Sequence, residues 1–351
     1  MKKLILFATT LSAALSVFSA EYYVDASRSD DTGSATSWAT AKQTIQAAVD
    51  LTTAGENSLY HGGSIKGECN ACVDHHVFQD NEGLWHQWAC VRNTSVGRIL
   101  YHWTAESLTD SPWTPTGEIV RCDHTRGESL EGRAEARSEF IQSPFIVKHD
   151  GLFYMFYGGH TTMVRDIPLW TEGCQMCLMT STDGREWKRH ENSEKFSRIF
   201  VGPGEVRDPC VIQVGDIWHM YYAGFHDGDD RKAAFFVRTS EDLIRWSDWK
   251  IVHEDSAYGD GIWETECPFV IYKEGYYYLF RTQNYYDGET YVFRSEDPCD
   301  FGIGDASDKF VCKIDCAAPE IITDTEGNEY LSSSHNPQAG NFLCRLKWVE
   351  D

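Results

Sequence analysis

The chain has 351 residues, of which 42% are hydrophobic, so it can bury a sizeable core in one large domain or two ordinary ones. Lys and Arg number 31 and Asp and Glu 54, which gives a formal net charge of −23. That balance argues against nucleic acids and anionic membrane surfaces as partners, because both require basic patches. Aromatic residues make up 13% of the chain, a content typical of a β-rich protein that has rings available for stacking.

The first 20 residues have the pattern of a secretory signal. Lys2 and Lys3 precede an apolar run that ends at Phe18, and small residues follow up to Ala20. A transmembrane anchor fits less well because the apolar run is short. The sequence therefore predicts a secreted or periplasmic protein, in which the 12 cysteines form disulfides or remain thiols. Two C-x-x-C pairs lie about a hundred residues apart, which is not the spacing of a zinc site, and no metal ligand set is predicted.

Residues 21–58 differ from the rest of the chain. The pattern predicts a strand at residues 22–25 and a short helix over residues 37–51. This segment resembles the opening turn of secreted right-handed parallel β-helix proteins, but the stacked coils of such proteins do not follow. We expect a small accessory or cap-like piece without a catalytic role.

Residues 59–351 contain five repeats. Their first strands open at Asp74-His75, Ser143-Pro144, Asp208-Pro209, Cys267-Pro268 and Ala318-Pro319, in steps of 69, 65, 59 and 51 residues. A glycine follows each opening and predicts a hairpin turn: Gly83, Gly151, Gly215, Gly275 and Gly327. Such antiparallel units, repeated around an axis, predict an all-β, five-bladed β-propeller. A β-sandwich with chance similarity fits less well, because strand opening, turn and aromatic ring recur together.

Acidic residues occupy equivalent strand openings. In a propeller the first strand of each blade lines the central channel, and its opening residue faces one mouth. Asp74 and Asp208 hold this position in the first and third blades, and Glu266 or Cys267 holds it in the fourth. Crowded carboxylates raise one another's pKa, so that one acts as an acid while another stays ionised. Hydrolysis of a glycosidic bond requires such a pair, whereas the alternative is that these acids cap strands or bind a cation.

Two short motifs carry a family resemblance. The chain has R-D-P at Arg207–Pro209 and E-C-P at Glu266–Pro268, in this order and in adjacent repeats. In these motifs it resembles the five-bladed β-propeller glycoside hydrolases of families 32 and 43, over roughly residues 59–351. The resemblance implies a glycosidase that acts on a furanoside or a related oligo- or polysaccharide. Its partner is then a carbohydrate, and we expect a monomer with no nucleic acid and no membrane partner.

The resemblance also implies roles for the acids. Asp74 would be the base or nucleophile at the anomeric carbon, Asp208 would stabilise the oxocarbenium-like transition state, and Glu266 would be the general acid/base. Glu264, two residues earlier, is the alternative acid. Further predicted substrate-binding residues lie beside these positions or in the last repeat: His75, Gln142, Ser143, Arg207, Trp263 and His335.

The sequence departs from the family 32 pattern in the first motif, where His75 and His76 follow Asp74 without Pro or Asn-Gly. Family 32 enzymes retain configuration and family 43 enzymes invert it, so the stereochemical outcome stays open. No cofactor is expected to be required, although some family 43 propellers place a His near a channel ion, and His335 suggests a structural calcium by that analogy. A carbohydrate-binding propeller without turnover is the rival function. A phosphorylase would need a basic pocket, for which the sequence offers only scattered Arg and His.

Overall fold

The structure is a computed structural model. It describes residues 3–9, 19–24, 71–94, 96–128, 139–159, 175–226, 232–261, 263–334 and 340–349. These residues form 22 strands: β1 Lys3–Thr9, β2 Ser19–Val24, β3 Ala71–Gln79, β4 Trp85–Thr94, β5 Gly97–Ala105, β6 Thr114–Val120, β7 Ile141–His149, β8 Leu152–Gly159, β9 Gln175–Ser181, β10 Lys188–Arg189, β11 Arg198–Val201, β12 Arg207–Val214, β13 Ile217–His226, β14 Lys232–Ser240, β15 Lys250–His253, β16 Glu266–Lys273, β17 Tyr276–Asn284, β18 Glu289–Ser295, β19 Phe310–Asp315, β20 Ile321–Thr323, β21 Glu329–Ser333 and β22 Phe342–Val349. Two 3-10 helices, His124–Arg126 and Ser256–Tyr258, lie between strands.

The strands form five antiparallel sheets, which confirms the predicted five-bladed propeller. Four blades are built from consecutive strands: β3–β6, β7–β11, β12–β15 and β16–β19. The first strands lie innermost, since β3 packs against β7, β7 against β12, and β12 against β16. None of the described helices is long and apolar enough to cross a membrane.

The fifth blade includes strands from both ends of the chain. Its order is β2-β1-β22-β21-β20, and β1 pairs antiparallel with both β2 and β22. The strand predicted at residues 22–25 overlaps β2, whereas the helix predicted at residues 37–51 lies outside the described residues. β1 and the start of β2 come from the predicted signal segment, and the signal itself stays a prediction.

Hairpin turns connect the first two strands of each blade, as the repeats predict. Gly83, Gly151, Gly215, Gly275 and Gly327 all have positive φ, between 59° and 91°. A side chain is strained in this conformation, which is why glycine recurs there. Gly215 shows the geometry: β12 ends at Val214, β13 starts at Ile217, and these two residues pair.

Aromatic side chains fill the space between blades. Trp113 and Phe301, which follow the polar turns of the first and fourth repeats, are buried, and Trp187 and Trp246 pack against the core at its edge. Apart from Cys122, the described cysteines are free thiols, most of them buried or packed against the core. Cys69 and Cys174 lie outside the described residues. The blades are thus held together by apolar packing, which positions the five first strands around one channel.

Candidate active site

The first strand of each blade opens with one residue in the left-handed backbone conformation. These residues and their φ angles are Asp74 (45°), Ser143 (52°), Asp208 (55°), Cys267 (49°) and Ala318 (48°). This conformation is costly for a residue with a side chain and recurs only where surrounding structure enforces it. In the first four blades it coincides with a shift in strand register, and such β-bulges re-aim side chains. Cys267, not Glu266, is therefore the equivalent of Asp74 in the fourth blade.

The residues that follow these openings line a cavity in the channel. His75 and the four prolines Pro144, Pro209, Pro268 and Pro319 all contribute to its wall. The cavity has a volume of about 40 Å³, enough for a few water molecules. The five repeats thus meet at the propeller axis in the register that the sequence predicts.

The opening side chains contact one another across blades. The Ser143 hydroxyl donates to Asp208 Oδ1 over 2.6 Å and lies 3.3 Å from Asp74 Oδ2. The Cys267 amide donates to Asp208 Oδ2 over 3.0 Å, and its thiol donates to Asp74 Oδ1 over 3.7 Å. All four residues have little or no exposed surface, so two carboxylates share one enclosed space.

Crowding changes the protonation of Asp74. Burial raises the pKa of Asp74 and the charge of Asp208 raises it further, while Arg92, Arg98 and Arg207 act in the opposite direction. Because Ser143 has one hydroxyl hydrogen and donates it to Asp208, its contact with Asp74 is best satisfied when Asp74 carries a proton. The geometry thus favours a proton on Asp74 in the absence of substrate.

Arg207 lies among acids. It is buried, its Nε is 3.2 Å from Asp208 Oδ2, and its other nitrogens are 3.4 Å from Glu205 and from Glu266. The exposed ring of Trp263 lies 5.4 Å from the guanidinium carbon, within cation–π range. Arg207 thus connects Asp208 with Glu266.

Glu266 is the better candidate acid of the two glutamates near this loop. Burial raises the pKa of Glu266 to about 8, with Asp208 and Asp74 adding to the effect and Arg207 opposing it. Glu264 instead accepts a hydrogen bond from the Gly261 amide over 3.0 Å, within its own loop. A carboxyl group with a raised pKa is protonated at neutral pH and is suited to donate that proton.

The other predicted substrate-binding residues have varied surroundings. The His75 ring is held between Ser332 Oγ at 2.7 Å and Ser334 Oγ at 2.9 Å, so both its nitrogens are occupied. Gln142 is buried and its Oε1 accepts a hydrogen bond from Arg98. Trp263 is 53% exposed and is the most accessible ring beside Arg207. His335 lies outside the described residues.

A calcium site in the channel is not favoured by the described donors. Asp74, Asp208 and Cys267 offer ligand atoms within 4.8 Å of one another, but burial raises the pKa of the Cys267 thiol, which keeps it protonated. Among the residues that line the cavity, Glu320 adds a carboxylate whose Oε1 pairs with His76 at 2.9 Å. Calcium prefers six to eight oxygen ligands, and His335, from which the structural calcium is expected, lies outside the described residues, so a calcium in the channel stays a prediction.

Sequence comparison shows that one region of the chain is similar to a known glycosidase family. Residues 125–275 match the sequence model of the glycosyl hydrolases family 32 N-terminal domain, a range that includes Asp208 and Glu266. No curated protein matches the sequence.

Solved structures share the fold. An α-L-arabinofuranosidase from Lactobacillus brevis aligns with a TM-score of 0.56 at 13% identity, over 81% of this chain and 92% of that one. A β-fructofuranosidase of family 32 from Bombyx mori aligns with a TM-score of 0.56 at 17% identity, over 83% of this chain and 62% of that one. A thermostable family 43 glycoside hydrolase gives 0.55 at 16% identity, over 83% and 91%.

The fold is therefore that of the five-bladed β-propeller glycoside hydrolases, as the sequence motifs predict. The family 32 match covers the second and third blades and the first strand of the fourth, so the chain is similar to the family 32 glycosidases in this region. This match does not assign a role to any single carboxylate. Asp74 lies outside the matched range.

Proposed function

We propose that the chain hydrolyses a glycosidic bond of a furanoside-type or related oligo- or polysaccharide, with Glu266 as the general acid. The observation that carries this role is the burial of Glu266, which holds its pKa at about 8 while Arg207 orients it. A protonated Glu266 donates to the glycosidic oxygen as the bond to the anomeric carbon breaks. Asp74 acts in its ionised form, which Arg92, Arg98 and Arg207 favour: it attacks that carbon, or it accepts a proton from the water molecule that attacks it.

Asp208 has the supporting role. Its carboxylate accepts hydrogen bonds from the Ser143 hydroxyl, the Cys267 amide and Arg207, which together hold it in place. A fixed negative charge at this position stabilises the positive charge that develops on the sugar ring in the transition state. Trp263, exposed above Arg207, offers an apolar face for the sugar.

The test is product release from a glycan panel of fructans, sucrose, arabinan, arabinoxylan and aryl furanosides. Loss of the general acid or of Asp74 is expected to reduce kcat by about 10²–10⁴-fold. The variants are Glu266→Gln and Asp74→Asn, and Glu264→Gln is the matched control because it changes the neighbouring carboxylate. Equal loss in Glu264→Gln and Glu266→Gln would contradict the assignment. Binding without turnover in the wild type would favour a carbohydrate-binding propeller.

We also propose that the protein is exported, and the N-terminal sequence pattern is the support for this. Sequencing of exported protein is expected to find a start near residue 21, after loss of β1. An exported or cell-associated form that retains residues 1–20 would overturn the proposal.

A further inference from the structure

Two arginines of the first blade lie beside the catalytic candidates, and no sequence motif marks them. Arg92 lies near the end of β4 and Arg98 near the start of β5, so the β4–β5 hairpin brings both to the end of the blade where Asp74 lies. Both are partly buried. Arg92 acts electrostatically on both Asp74 and Glu266, which puts it next to the position of the sugar to be cleaved.

In the part of the chain that the structure describes, no carboxylate lies within ion-pair distance of these two guanidinium groups, although Asp74 acts on both and raises the pKa of Arg92. Among the described ion pairs, none includes Arg92 or Arg98, and Arg92 Nε is buried without a hydrogen-bond partner. The guanidinium of Arg92 lies over the Tyr285 ring at 5.9 Å, and that of Arg98 over the Phe140 ring at 3.8 Å. Gln142, which is neutral, is the side chain that bonds Arg98.

The two positive charges also repel each other. Burial lowers the pKa of Arg98, and the nearby charge of Arg92 lowers it further. By contrast, Arg207 is surrounded by Glu205, Asp208 and Glu266. A partly buried guanidinium pair with no carboxylate in direct contact has N–H donors that an oxyanion can satisfy, and the planar fork of a guanidinium matches an oxyanion.

We propose that Arg92 and Arg98 form a subsite for an oxyanion carried by the substrate sugar, a carboxylate or a sulfate ester. This inference rests on the proposed function, because the site formed by Asp74, Asp208 and Glu266 must accept a sugar. A substituent of this kind sits on the guanidinium pair while the anomeric carbon faces Asp74. Free phosphate fits less well, because an attacking phosphate would approach the anomeric carbon beside the carboxylates of Asp74 and Asp208.

The experiment measures binding of matched probes to the full chain and to Glu266→Gln, which separates binding from turnover. The probes are oligogalacturonides and oligoglucuronides with their carboxyl-reduced counterparts, and sulfated oligosaccharides with their desulfated counterparts. In at least one pair, the acidic probe is expected to bind at least about tenfold more tightly than its neutral counterpart. A tenfold ratio of dissociation constants corresponds to about 1.4 kcal/mol of binding free energy. The carboxylate and sulfate pairs identify which oxyanion is recognised.

Four variants connect that preference to the two arginines. Arg92→Met and Arg98→Gln are expected to abolish the preference, and Arg92→Lys to retain part of it. Arg245→Gln is the matched control, because the Arg245 side chain is 88% exposed and lies in the third blade. It is expected to leave the preference unchanged.

Several outcomes overturn the inference. They are equal binding of acidic and neutral members in every pair, failure of every acidic probe to bind, and a preference that survives both arginine substitutions. Phosphate-dependent cleavage with a sugar phosphate as product would also overturn it. Acidic probes that bind but are not cleaved would contradict the proposed function alone, whereas cleavage restricted to neutral glycans would contradict only the inference.

Discussion

Glu128 and Glu266 are both buried carboxylic acids, but the fold surrounds them differently. Glu128 accepts hydrogen bonds from Arg189, the Tyr157 hydroxyl, the Ser197 hydroxyl and the Asp123 amide. Glu266 has a single described ion-pair partner, Arg207, at 3.4 Å, and it shares that partner with two other acids. A carboxylate that is fully hydrogen-bonded stabilises the structure. A carboxylic acid that keeps its proton because it is buried can donate that proton in a reaction.

The largest expected effect tests the Glu128 side of this comparison. Glu128→Ala leaves the Arg189 guanidinium without its carboxylate, and breaking a buried pair in this way costs about 3–5 kcal/mol in the free energy of unfolding. Below about pH 4.5, where Glu266 is protonated in the folded and the unfolded chain, Glu266→Gln replaces a neutral acid by a neutral side chain of similar shape, so a change of less than about 1 kcal/mol is expected. Denaturant unfolding of both variants measures the difference. Similar destabilisation by the two substitutions would remove the distinction between the sites.

The second prediction concerns the Ser143 hydroxyl, which lies between two carboxylates. Ser143→Ala removes the hydroxyl donor to Asp208 and the contact of that hydroxyl with Asp74. A hydrogen bond to a charged group is worth about 1.5–3 kcal/mol, so kcat/KM is expected to fall by roughly 10–100-fold. Ser107→Ala, at an exposed turn, is the control. Unchanged kcat/KM in Ser143→Ala would show that the bridge has no role in turnover.

Part of this site is predictable from sequence, and the reason is the repeat. The strand openings at Asp74, Ser143 and Asp208 recur with a glycine turn seven to nine residues later, so their convergence follows from five-fold register. The fourth blade is ambiguous in sequence, because Glu266 and Cys267 are adjacent and only the left-handed φ of Cys267 shows which one opens the strand.

Other parts of the molecule carry no local signal. Arg92 and Arg98 belong to a hairpin without a motif, and they join the site only because β3, β4 and β5 form one sheet. Tyr285 is 211 residues from its partner Asp74. The pairing of β1 with β22 is likewise absent from the repeat pattern, since a sheet completed by distant chain segments depends on tertiary structure rather than on local periodicity.

The third prediction uses the titration of Glu266. Its pKa in the folded chain, about 8, lies above its ordinary value of 4.5. The general acid must be protonated, so kcat/KM is expected to fall about tenfold per pH unit above roughly pH 8. The folded state also binds more protons than the unfolded state between these two values. The contribution of Glu266 to the free energy of unfolding is therefore complete below about pH 4.5 and is lost as pH rises through about 8.

A pH–rate profile and unfolding curves at several pH values check both parts of this prediction. Glu266→Gln is expected to remove the pH dependence of stability in this window and to abolish the alkaline limb of any residual activity. A wild-type profile that is flat through pH 8 and beyond would indicate that Glu266 is not the acid.

The smallest expected effect concerns the position of Asp74 rather than its charge. The Tyr285 hydroxyl accepts the Asp74 amide over 3.0 Å, in a buried contact between the β17–β18 turn of the fourth blade and the first strand of the first blade. Asp74 has a φ of 45°, so this bond helps to hold a strained backbone at the base or nucleophile. Tyr285→Phe removes the acceptor and is expected to lower kcat by about 3–10-fold, from a hydrogen bond of roughly 0.5–1.5 kcal/mol.

The division between kcat and KM identifies Tyr285 as a positioning residue. Since the hydroxyl lies against the backbone of Asp74, KM is expected to stay within about twofold while kcat falls. Tyr286→Phe is the matched control, because the neighbouring ring is 68% exposed. A loss in KM alone would instead assign Tyr285 to the substrate pocket, and an unchanged kcat would mean that strand register and the Ser143 contact suffice to orient Asp74. In either case the backbone of the first blade, and not the fourth-blade turn, would determine where the carboxylate points.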